Sequence, residues 1–328
     1  MRQLWLARYP GEWGMNKETA ISLALKGDLL TGVEWSASQV RHFLQLASDV
    51  KTNPDRYRDS LSGKSLVLIF EKPSLRTRVT FEIAAAHLGG TSVFLDHTTI
   101  RLGEREPVRD IARNLERWVQ GIIARVFAQK SLEDLARNAN IPVINALSNK
   151  YHPCQALADF FTLQEHFGAL QGLKFAYVGD GNNMCHSLML TGAQTGADIR
   201  IATPKGYEPD PAILAHAQRI AHETAGAIEL MHSPHDAVAG AQAVYTDVWA
   251  SMGQESEAAE RTAAFASYQV NEALFSLASK DAVFLHCLPA HRGLEVTDGV
   301  MDSPRSVVYD QAENRLHVQK AILHTLLN

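Results

Sequence analysis

Short, continuously apolar runs alternate with longer amphipathic runs along most of the chain. The run KSLVLIF begins at Lys64, an amphipathic run from Ser74 ends at Gly89 and Gly90, and TSVFLD follows. Continuous β-branched runs of this length are typical of strands buried on both faces, and a helix between two such strands allows them to be parallel. Residues 107–120 are predicted to be a helix, and GIIARVF and IPVINAL repeat the strand pattern. We therefore predict an α/β first half.

The alternation resumes after a helix that begins at Pro153 and ends at Gly168. The runs LKFAYVG, DIRIATP, QAVYTDVW and AVFLHCLP are typical of strands, and AENRLHVQKAILHTLL closes the chain as a helix. A chain of 328 residues exceeds the size at which a single hydrophobic core stops growing. We predict an α/β protein of two domains, each a mainly parallel sheet flanked by helices, joined by interdomain helices.

The predicted first domain spans residues 1–150, of which residues 1–16 form an N-terminal extension of unassigned structure. The second domain spans residues 151–311, and the C-terminal helix, residues 312–328, is expected to pack back on the first domain. Because ligands bind preferentially at domain interfaces, the site is expected in the cleft between the two domains.

The composition narrows the classes of ligand. No apolar run approaches the roughly 20 residues that a membrane span requires, and a net charge of -5 gives no general attraction for nucleic acid or an anionic membrane. A local arrangement of donors must therefore gather any anionic ligand, which favours small molecules. Cys154, Cys185 and Cys287 are few and not closely paired, which favours a reducing cytoplasm over a disulfide framework or a four-cysteine zinc site.

The segment FEKPSLRTR joins the first strand to its helix and carries both hydroxyl and guanidinium groups. Cations at a helix N-terminus oppose the positive end of the helix dipole, a conflict that an anion bound to the exposed N–H groups removes. We predict that Ser74, Arg76 and Thr77 form a phosphate cradle. In the alternative reading Ser74 only caps the helix, and for Arg78 we favour an ordinary ion pair with Glu82, one turn on.

Two further motifs lie where the halves meet. In YHPCQ, His152 and Gln155 could donate to a carbonyl oxygen in the cleft, although His152 could equally be a boundary residue. In GDGNNM, the glycines invite a dinucleotide reading, but a third spaced glycine is absent and the next strand ends in ATP without an acidic ribose ligand. Asn182 and Asn183 could be helix caps or could hold a polar substrate.

Late strand ends add two candidates. QAVYTDVW leads into ASMGQE and places Asp247 where open α/β sheets bind ligands. Aspartate at such an edge is also a common turn former. VFLHCLP places Cys287 at the next strand end, where a lone cysteine is more often a small buried apolar residue than a reactive thiol.

Together these motifs resemble the aspartate/ornithine carbamoyltransferase family, and within it the ornithine carbamoyltransferases. FEKPSLRTR is similar to the carbamoyl phosphate signature, YHPCQ to its second element, DGNNM and DVWASMG to the ornithine elements, HCLP to the late active-site turn and AENR to the last anion contact. They occur in the family's order from about residue 17 to the C-terminus. Two features distinguish the chain from aspartate carbamoyltransferases. Those enzymes typically have proline in place of the cysteine of HCLP, and they lack the Ser-Met-Gly loop of DVWASMG.

The resemblance implies a role for each matched residue. Those that would hold carbamoyl phosphate are Ser74, Leu75, Arg76, Thr77, Arg101, Arg125, His152, Gln155, Cys287, Leu288 and Arg315. Those that would hold ornithine are Asn183, Asp247, Ser251 and Met252. The sequence departs from the family pattern at Leu75, where threonine is frequent, and at Arg101, where glutamine is common.

The resemblance also implies the chemistry. Arg125, Asp247 and Cys287 would be catalytic, with Cys287 as a partly ionised thiol that helps Asp247 to deprotonate the amine, and no metal or organic cofactor would be required. Carbamoyl phosphate and L-ornithine would give citrulline and phosphate in a cytoplasmic homotrimer of arginine biosynthesis. The alternatives are a related amine acceptor such as putrescine or an N-acylornithine, a catalytically silent relative, and an NAD-dependent oxidoreductase.

Overall fold

The computed structural model describes residues 27–96, 102–250 and 257–328. In the first half, four parallel strands lie in the order β2-β1-β3-β4. Each strand but the last leads into a helix that covers a face of the sheet. The elements are α1 Ala37–Thr52, β1 Ser65–Phe70, α2 Leu75–His87, β2 Thr91–Asp96, α3 Val108–Leu115, β3 Gly121–Arg125, α4 Gln129–Asn138 and β4 Val143–Leu147.

The second half contains a five-stranded parallel sheet in the order β7-β6-β5-β8-β9. Its strands are short. Strands β8 and β9 are buried throughout and β5 is buried after its first residue, whereas β6 and β7 are partly exposed, and this burial explains the apolar runs. The elements are α5 Pro153–Phe167, β5 Lys174–Val178, α6 Asn183–Thr195, β6 Asp198–Ala202, α7 Pro211–Glu223, β7 Ala227–Met231, α8 Pro234–Val238, β8 Ala243–Thr246, α9 Ala258–Phe265, α10 Glu272–Phe275, β9 Val283–His286, α11 Asp298–Met301 and α12 Val308–Leu327.

Two helices connect the halves. Helix α5 leaves the first sheet and begins the second half, and helix α12 returns to pack against α1, α2 and α5. Buried side chains of both halves form one continuous hydrophobic cluster that contains Phe43, Phe81, Phe160 and Leu323. The two α/β halves confirm the predicted fold class, whereas the boundary at residue 150 stays a prediction.

The helix and strand bounds differ in part from the sequence-based expectation. The helix predicted over residues 107–120 is shorter, with Pro107 as its N-cap and its last residue at Leu115. Helix α1 and the edge strand β7 were not predicted, and the extension 1–16 lies outside the described residues. Within the described part of the chain, none of the helices has both the length and the apolar character needed to cross a bilayer.

Candidate active site

The N-terminus of helix α2 is built as a donor-rich turn. Ser74 is the N-cap, and its Oγ accepts a hydrogen bond from the backbone N–H of Thr77 at 3.3 Å. Leu75 is 76% exposed, so its side chain takes no part in packing the described chain. Arg78 Nε lies 3.0 Å from Glu82 Oε1, as expected for the ion pair. The cap and the predicted cradle are thus compatible, because capping uses only one of the first-turn N–H groups.

Three arginines converge beside this turn. Arg315, from α12, is buried and donates through Nη2 to Thr77 Oγ1 at 2.7 Å. Arg125 ends strand β3, and burial together with Arg315 and Arg76 lowers the pKa of its guanidinium to about 10, against a partial opposing effect of Cys287. Burial also lowers the pKa of Arg76 and of Arg315. Because mutually repelling buried cations are costly, this arrangement favours binding of an anion.

The Nε atoms of Arg125 and Arg315 are buried and have no hydrogen-bond partner in the described chain. Orphaned donors of this kind are rare in proteins and mark places where a ligand or an ordered water completes the network. The cradle residues predicted from the sequence, Arg76, Thr77, Arg125 and Arg315, therefore form one electropositive cluster, as their mutual effects on pKa indicate.

His152 and Gln155 flank the cluster at the start of helix α5. His152 is buried, and burial followed by the charges of Arg315, Arg125 and Arg76 holds the pKa of its imidazole well below the usual range, so the ring is neutral. Its Nδ1 has no partner in the described chain. A neutral imidazole with one free nitrogen can donate to a carbonyl oxygen without adding a fourth positive charge.

Asp247, at the end of strand β8, is the centre of a second cluster. Its Oδ1 accepts from the Cys287 thiol at 3.0 Å, and its Oδ2 accepts from Asn182 Nδ2 at 2.9 Å. Asn182 also caps helix α6 through Oδ1. Asn183, the predicted ornithine ligand, instead donates to the carbonyl oxygen of Ser148 at 2.7 Å. The sequence names both asparagines of GDGNNM as candidates, and the structure shows that Asn182, as well as capping the helix, is the one that contacts Asp247.

The expectation of a partly ionised Cys287 is wrong. Burial and the neighbouring carboxylate of Asp247 raise the pKa of the thiol well above its ordinary value. The thiol is consequently protonated at neutral pH, and its S–H group donates a hydrogen bond to Asp247. Cys287 can orient the carboxylate, but it does not serve as an anionic base.

His286 stabilises the turn that follows strand β9. The backbone N–H of Leu288 donates to His286 Nδ1 at 2.9 Å, and His286 Nε2 lies 3.2 Å from Glu295 Oε1. Nδ1 must therefore be the acceptor and Nε2 the donor. Leu288 has a φ of 58° and a cis peptide bond to Pro289. Although Asp247, His286 and Cys287 bring potential metal ligands within 4.8 Å of one another, each already takes part in a hydrogen bond within the protein.

Gly181 of GDGNNM is explained by close backbone packing. A Cβ on Gly181 would lie 2.2 Å from Pro209 N and 2.4 Å from Glu208 C. The loop after strand β6 therefore packs directly against the backbone of this turn. Asp180 is engaged elsewhere, in a buried ion pair with Arg261 at 3.0 Å. Of the remaining predicted site residues, Arg101, Ser251 and Met252 lie outside the described residues.

Known proteins resemble this chain over nearly its full length. Residues 27–165 match the family model described as "Aspartate/ornithine carbamoyltransferase, carbamoyl-P binding domain", and residues 171–326 match its "Asp/Orn binding domain". The ornithine carbamoyltransferase of Pyrococcus horikoshii is 52% identical over 311 residues, 93% of this chain and 97% of that relative. That of Thermus thermophilus is 52% identical over 307 residues, 93% of this chain and 98% of that relative. The solved ornithine carbamoyltransferase of Pyrococcus furiosus is 51% identical, with a TM-score of 0.89 over 92% of this chain and 97% of that chain.

Proposed function

Because the chain belongs to the aspartate/ornithine carbamoyltransferase family, we propose that it transfers the carbamoyl group of carbamoyl phosphate to the δ-amine of L-ornithine. The enzyme is a carbamoyltransferase, and its products are citrulline and inorganic phosphate. The observation that carries the assignment is the cluster of Arg76, Arg125 and Arg315 around Thr77, with the Asp247 carboxylate on the other half of the molecule.

The first half supplies the phosphate and carbamoyl contacts. Leu75 and Arg76 offer backbone N–H groups at the helix N-terminus, Ser74 and Thr77 offer hydroxyl groups, and the arginines neutralise the phosphate. Arg125, His152 and Thr77 serve as donors to the carbamoyl oxygen, on which negative charge grows in the tetrahedral intermediate. Arg76 and Arg315 stabilise the phosphate as it departs. Leu288 contributes through its backbone at the turn after strand β9.

The second half prepares the amine. A lysine-like amine has a reference pKa of about 10.4, so at neutral pH ornithine arrives as an ammonium that cannot attack. Asp247 accepts a hydrogen bond from this group and orients it, while the neutral Cys287 thiol and Asn182 hold the carboxylate in place. The ammonium loses two protons in all. The first leaves to solvent before the amine attacks, and the departing phosphate takes up the second, from the nitrogen of the tetrahedral intermediate, as the bond between the carbamoyl carbon and the phosphate oxygen breaks. Asn183, Ser251 and Met252 remain assigned to the amino-acid end of ornithine.

The exposed apolar residues of α2 and β2 support a homotrimer. Val79 and Ile83 lie one turn apart on α2 and are 46% and 40% exposed, and Val93 on the edge strand β2 is 54% exposed. Contiguous exposed apolar side chains mark interaction surfaces. This stripe begins at Leu75, so a second subunit bound to it would lie next to the phosphate turn. The three free cysteines support a reducing cytoplasm as the compartment.

One assay tests the assignment of substrate. The protein is incubated with carbamoyl phosphate and, separately, with ornithine, putrescine, N-acetylornithine or aspartate, and the carbamoylated product is quantified by mass spectrometry. We expect product with ornithine and at least tenfold less with each other amine. A preference for any other amine overturns the assignment to ornithine, and no product with any of them overturns the proposed reaction.

A matched pair of variants tests the cradle. Arg76→Ala removes a guanidinium from the cluster, whereas Arg78→Ala, two residues on, removes one that pairs with Glu82 outside it. We expect Arg76→Ala to lower kcat/KM about 10²- to 10³-fold with an unchanged circular dichroism spectrum, and Arg78→Ala to lower it less than tenfold. Equal kinetics in the two variants contradict the cradle.

A further inference from the structure

Asp159 lies beneath the proposed site without reaching it. Its carboxylate is on helix α5, one turn after Gln155, and is fully buried. Asp159 Oδ1 accepts from Gln155 Nε2 at 2.7 Å and from Gln311 Nε2 at 2.6 Å. A buried carboxylate is costly unless its hydrogen bonds serve a purpose, and the catalytic roles assigned above do not use it.

The direction of these hydrogen bonds is fixed from outside the cluster. Gln311 Oε1 accepts from the backbone N–H of His286 at 3.0 Å. Because a backbone N–H can only donate, the Gln311 amide has one orientation, in which its NH₂ group faces Asp159. Asp159 Oδ1 is therefore an acceptor, and Gln155 must present its own NH₂ group to it. The carbonyl oxygen of Gln155 then points the other way, where Arg315 Nη1 donates to it.

From this we propose that Asp159 is a positioning residue that locks the Gln155 amide with its carbonyl oxygen toward the substrate, and thereby selects an NH₂ group on the acyl carbon. The inference rests on the proposed function. An amide oxygen has two lone pairs, and Arg315 takes one. The other accepts from the carbamoyl NH₂ group, a donor that an acetyl group lacks.

Arg315 alone does not secure this orientation. Its guanidinium is also bonded to Thr77 Oγ1 and is one of the cations that the phosphate attracts. When phosphate binds, Arg315 is shared between the anion and Gln155, whereas Asp159 is shielded from substrate and its bond to Gln155 persists. The lock depends on an acceptor rather than on a charge. Asp159 Oδ1 makes both amide contacts, and the Tyr245 hydroxyl is a further polar group beside the carboxylate, so a proton or an amide NH₂ group on the Oδ2 side leaves Oδ1 in place.

Two stable phosphonates test the lock directly. Phosphonoacetamide and 2-oxopropylphosphonate share the phosphonate and the carbonyl group and differ only in NH₂ against CH₃. Their dissociation constants are measured by isothermal titration calorimetry for the wild type, Asp159→Leu, Asp159→Asn and Thr162→Val. Thr162 is the matched control, since it is a buried acceptor on the same helix that bonds Asn314 of α12 at 3.0 Å and does not touch Gln155.

We expect Asp159→Leu to raise the dissociation constant of phosphonoacetamide at least tenfold, while the dissociation constant of 2-oxopropylphosphonate changes less than threefold. Asp159→Asn and Thr162→Val should keep the wild-type ratio of the two constants. Equal weakening of both ligands in Asp159→Leu, or an unchanged ratio, overturns the inference. If Asp159→Leu does not fold, Asp159→Ala removes the same acceptor with a smaller side chain and leaves Gln311 bonded to the backbone N–H of His286, and the same ratio decides.

Activity of the wild type distinguishes a failure of the proposed function from a failure of the proposed role of Asp159. Citrulline formation from carbamoyl phosphate and ornithine tests the proposed function, and its absence overturns that function before any variant is compared. If the wild type forms citrulline and the ratio in the leucine variant stays unchanged, only the role of Asp159 is wrong.

Discussion

Asp247 illustrates how a single side chain becomes specific through its neighbours. Its two oxygens are held by groups from different elements, the Asn182 amide at the start of α6 and the Cys287 thiol after β9. An isolated aspartate at a strand end is usually a turn former. Here both oxygens accept from side chains that can only donate in these positions, so the carboxylate is fixed for a cationic or amine partner.

Replacing Asp247 by asparagine tests the division of labour between the halves. The new NH₂ group would face that of Asn182, and the amine would lose its anionic acceptor. We expect kcat/KM for ornithine to fall about 10²-fold or more, while the dissociation constant for phosphonoacetamide changes less than threefold. Steady-state kinetics and calorimetry measure the two effects.

The double variant Asp247→Asn/Asn182→Asp is the control for packing. It restores a complementary hydrogen bond between the two positions and should recover thermal stability, but the carboxylate is now displaced and ornithine turnover should stay low. Equal loss of ornithine turnover and phosphonate binding in Asp247→Asn would show that the two halves are not functionally separate.

At the residue scale the sequence located motifs better than individual side chains. It predicted that Arg76, Thr77, Arg125 and Arg315 belong together, and the structure brings them into one cluster. It could not decide between Asn182 and Asn183, because which amide faces β8 depends on the first turn of α6. Nor could it predict the ionisation of Cys287, which follows from burial beside a carboxylate.

At the element scale, helix α9 is tied to strand β5 by a buried ion pair. Arg261 Nη1 donates to Asp180 Oδ2 at 3.0 Å and to the carbonyl oxygen of Trp249 at 2.9 Å. Burial raises the pKa of Asp180 to about 6, against the lowering effect of Arg261. These bonds join α9 both to the GDGNNM turn and to the last described residues before 251–256.

Removing the guanidinium should make stability depend more steeply on pH. In the folded protein the pKa of Asp180 is about 6, above the ordinary aspartate pKa of 3.8, so stability falls as the pH rises between these values. Arg261→Met raises the pKa of Asp180 further and extends the loss above pH 6. Relative to the wild type, we expect the free energy of unfolding of Arg261→Met to change little near pH 5 and to fall by roughly 3–5 kcal/mol near pH 8. The Tm should fall correspondingly.

Scanning calorimetry at both pH values measures the difference, and Arg261→Met/Asp180→Asn is the control, because it removes the charge that would be left unpaired. In the double variant, the pH dependence of Tm that arises from Asp180 should disappear. A difference in Tm that is the same near pH 5 and near pH 8 in Arg261→Met would contradict the ion-pair explanation.

Gly181 carries a second prediction at this scale. A Cβ here would overlap the backbone of Glu208 and Pro209, which cannot move aside as a flexible side chain can. We expect Gly181→Ala to lower the free energy of unfolding by about 1–3 kcal/mol, measured by urea denaturation. An unchanged midpoint would mean that this contact is not close in solution.

Element prediction succeeded where periodicity was strong and failed where another signal was needed. The buried strands β1, β3, β5 and β8 are unbroken apolar runs. Strand β7, AIELM, is a partly exposed edge and lacks such a run, so it was missed. Helix α1 was missed although Ser36 and Gln39 form a capping box, a local signal that precedes a weakly apolar helix.

At the scale of the whole molecule, the two halves divide the substrates and α12 connects them. This helix carries Gln311, which accepts from the backbone N–H of His286 at the end of β9, and Arg315, which donates to Thr77 in the first turn of α2. The α/β class and the two sheets were predictable because the alternating pattern spans the chain. Helix α12 returns to pack against α1 and α2 of the first half, a long-range contact that the sequence pattern predicts only as an expectation for residues 312–328.

The proposed homotrimer makes the last prediction. Val79 and Ile83 are a matched pair on one exposed helix face, adjacent to the edge strand β2. Replacing both by aspartate places two charges in an apolar contact, where desolvation is unfavourable without partners. We expect the wild type to have a mass in solution near three times 36.1 kDa by light scattering, and the mass of Val79→Asp/Ile83→Asp to shift toward that of the single chain.

Leu277→Asp/Leu294→Asp is the control, since both leucines are 41% exposed and lie in the second half, and their replacement adds the same charge. If the control dissociates and the first variant does not, subunits meet through a different face, and the stripe on α2 needs another explanation.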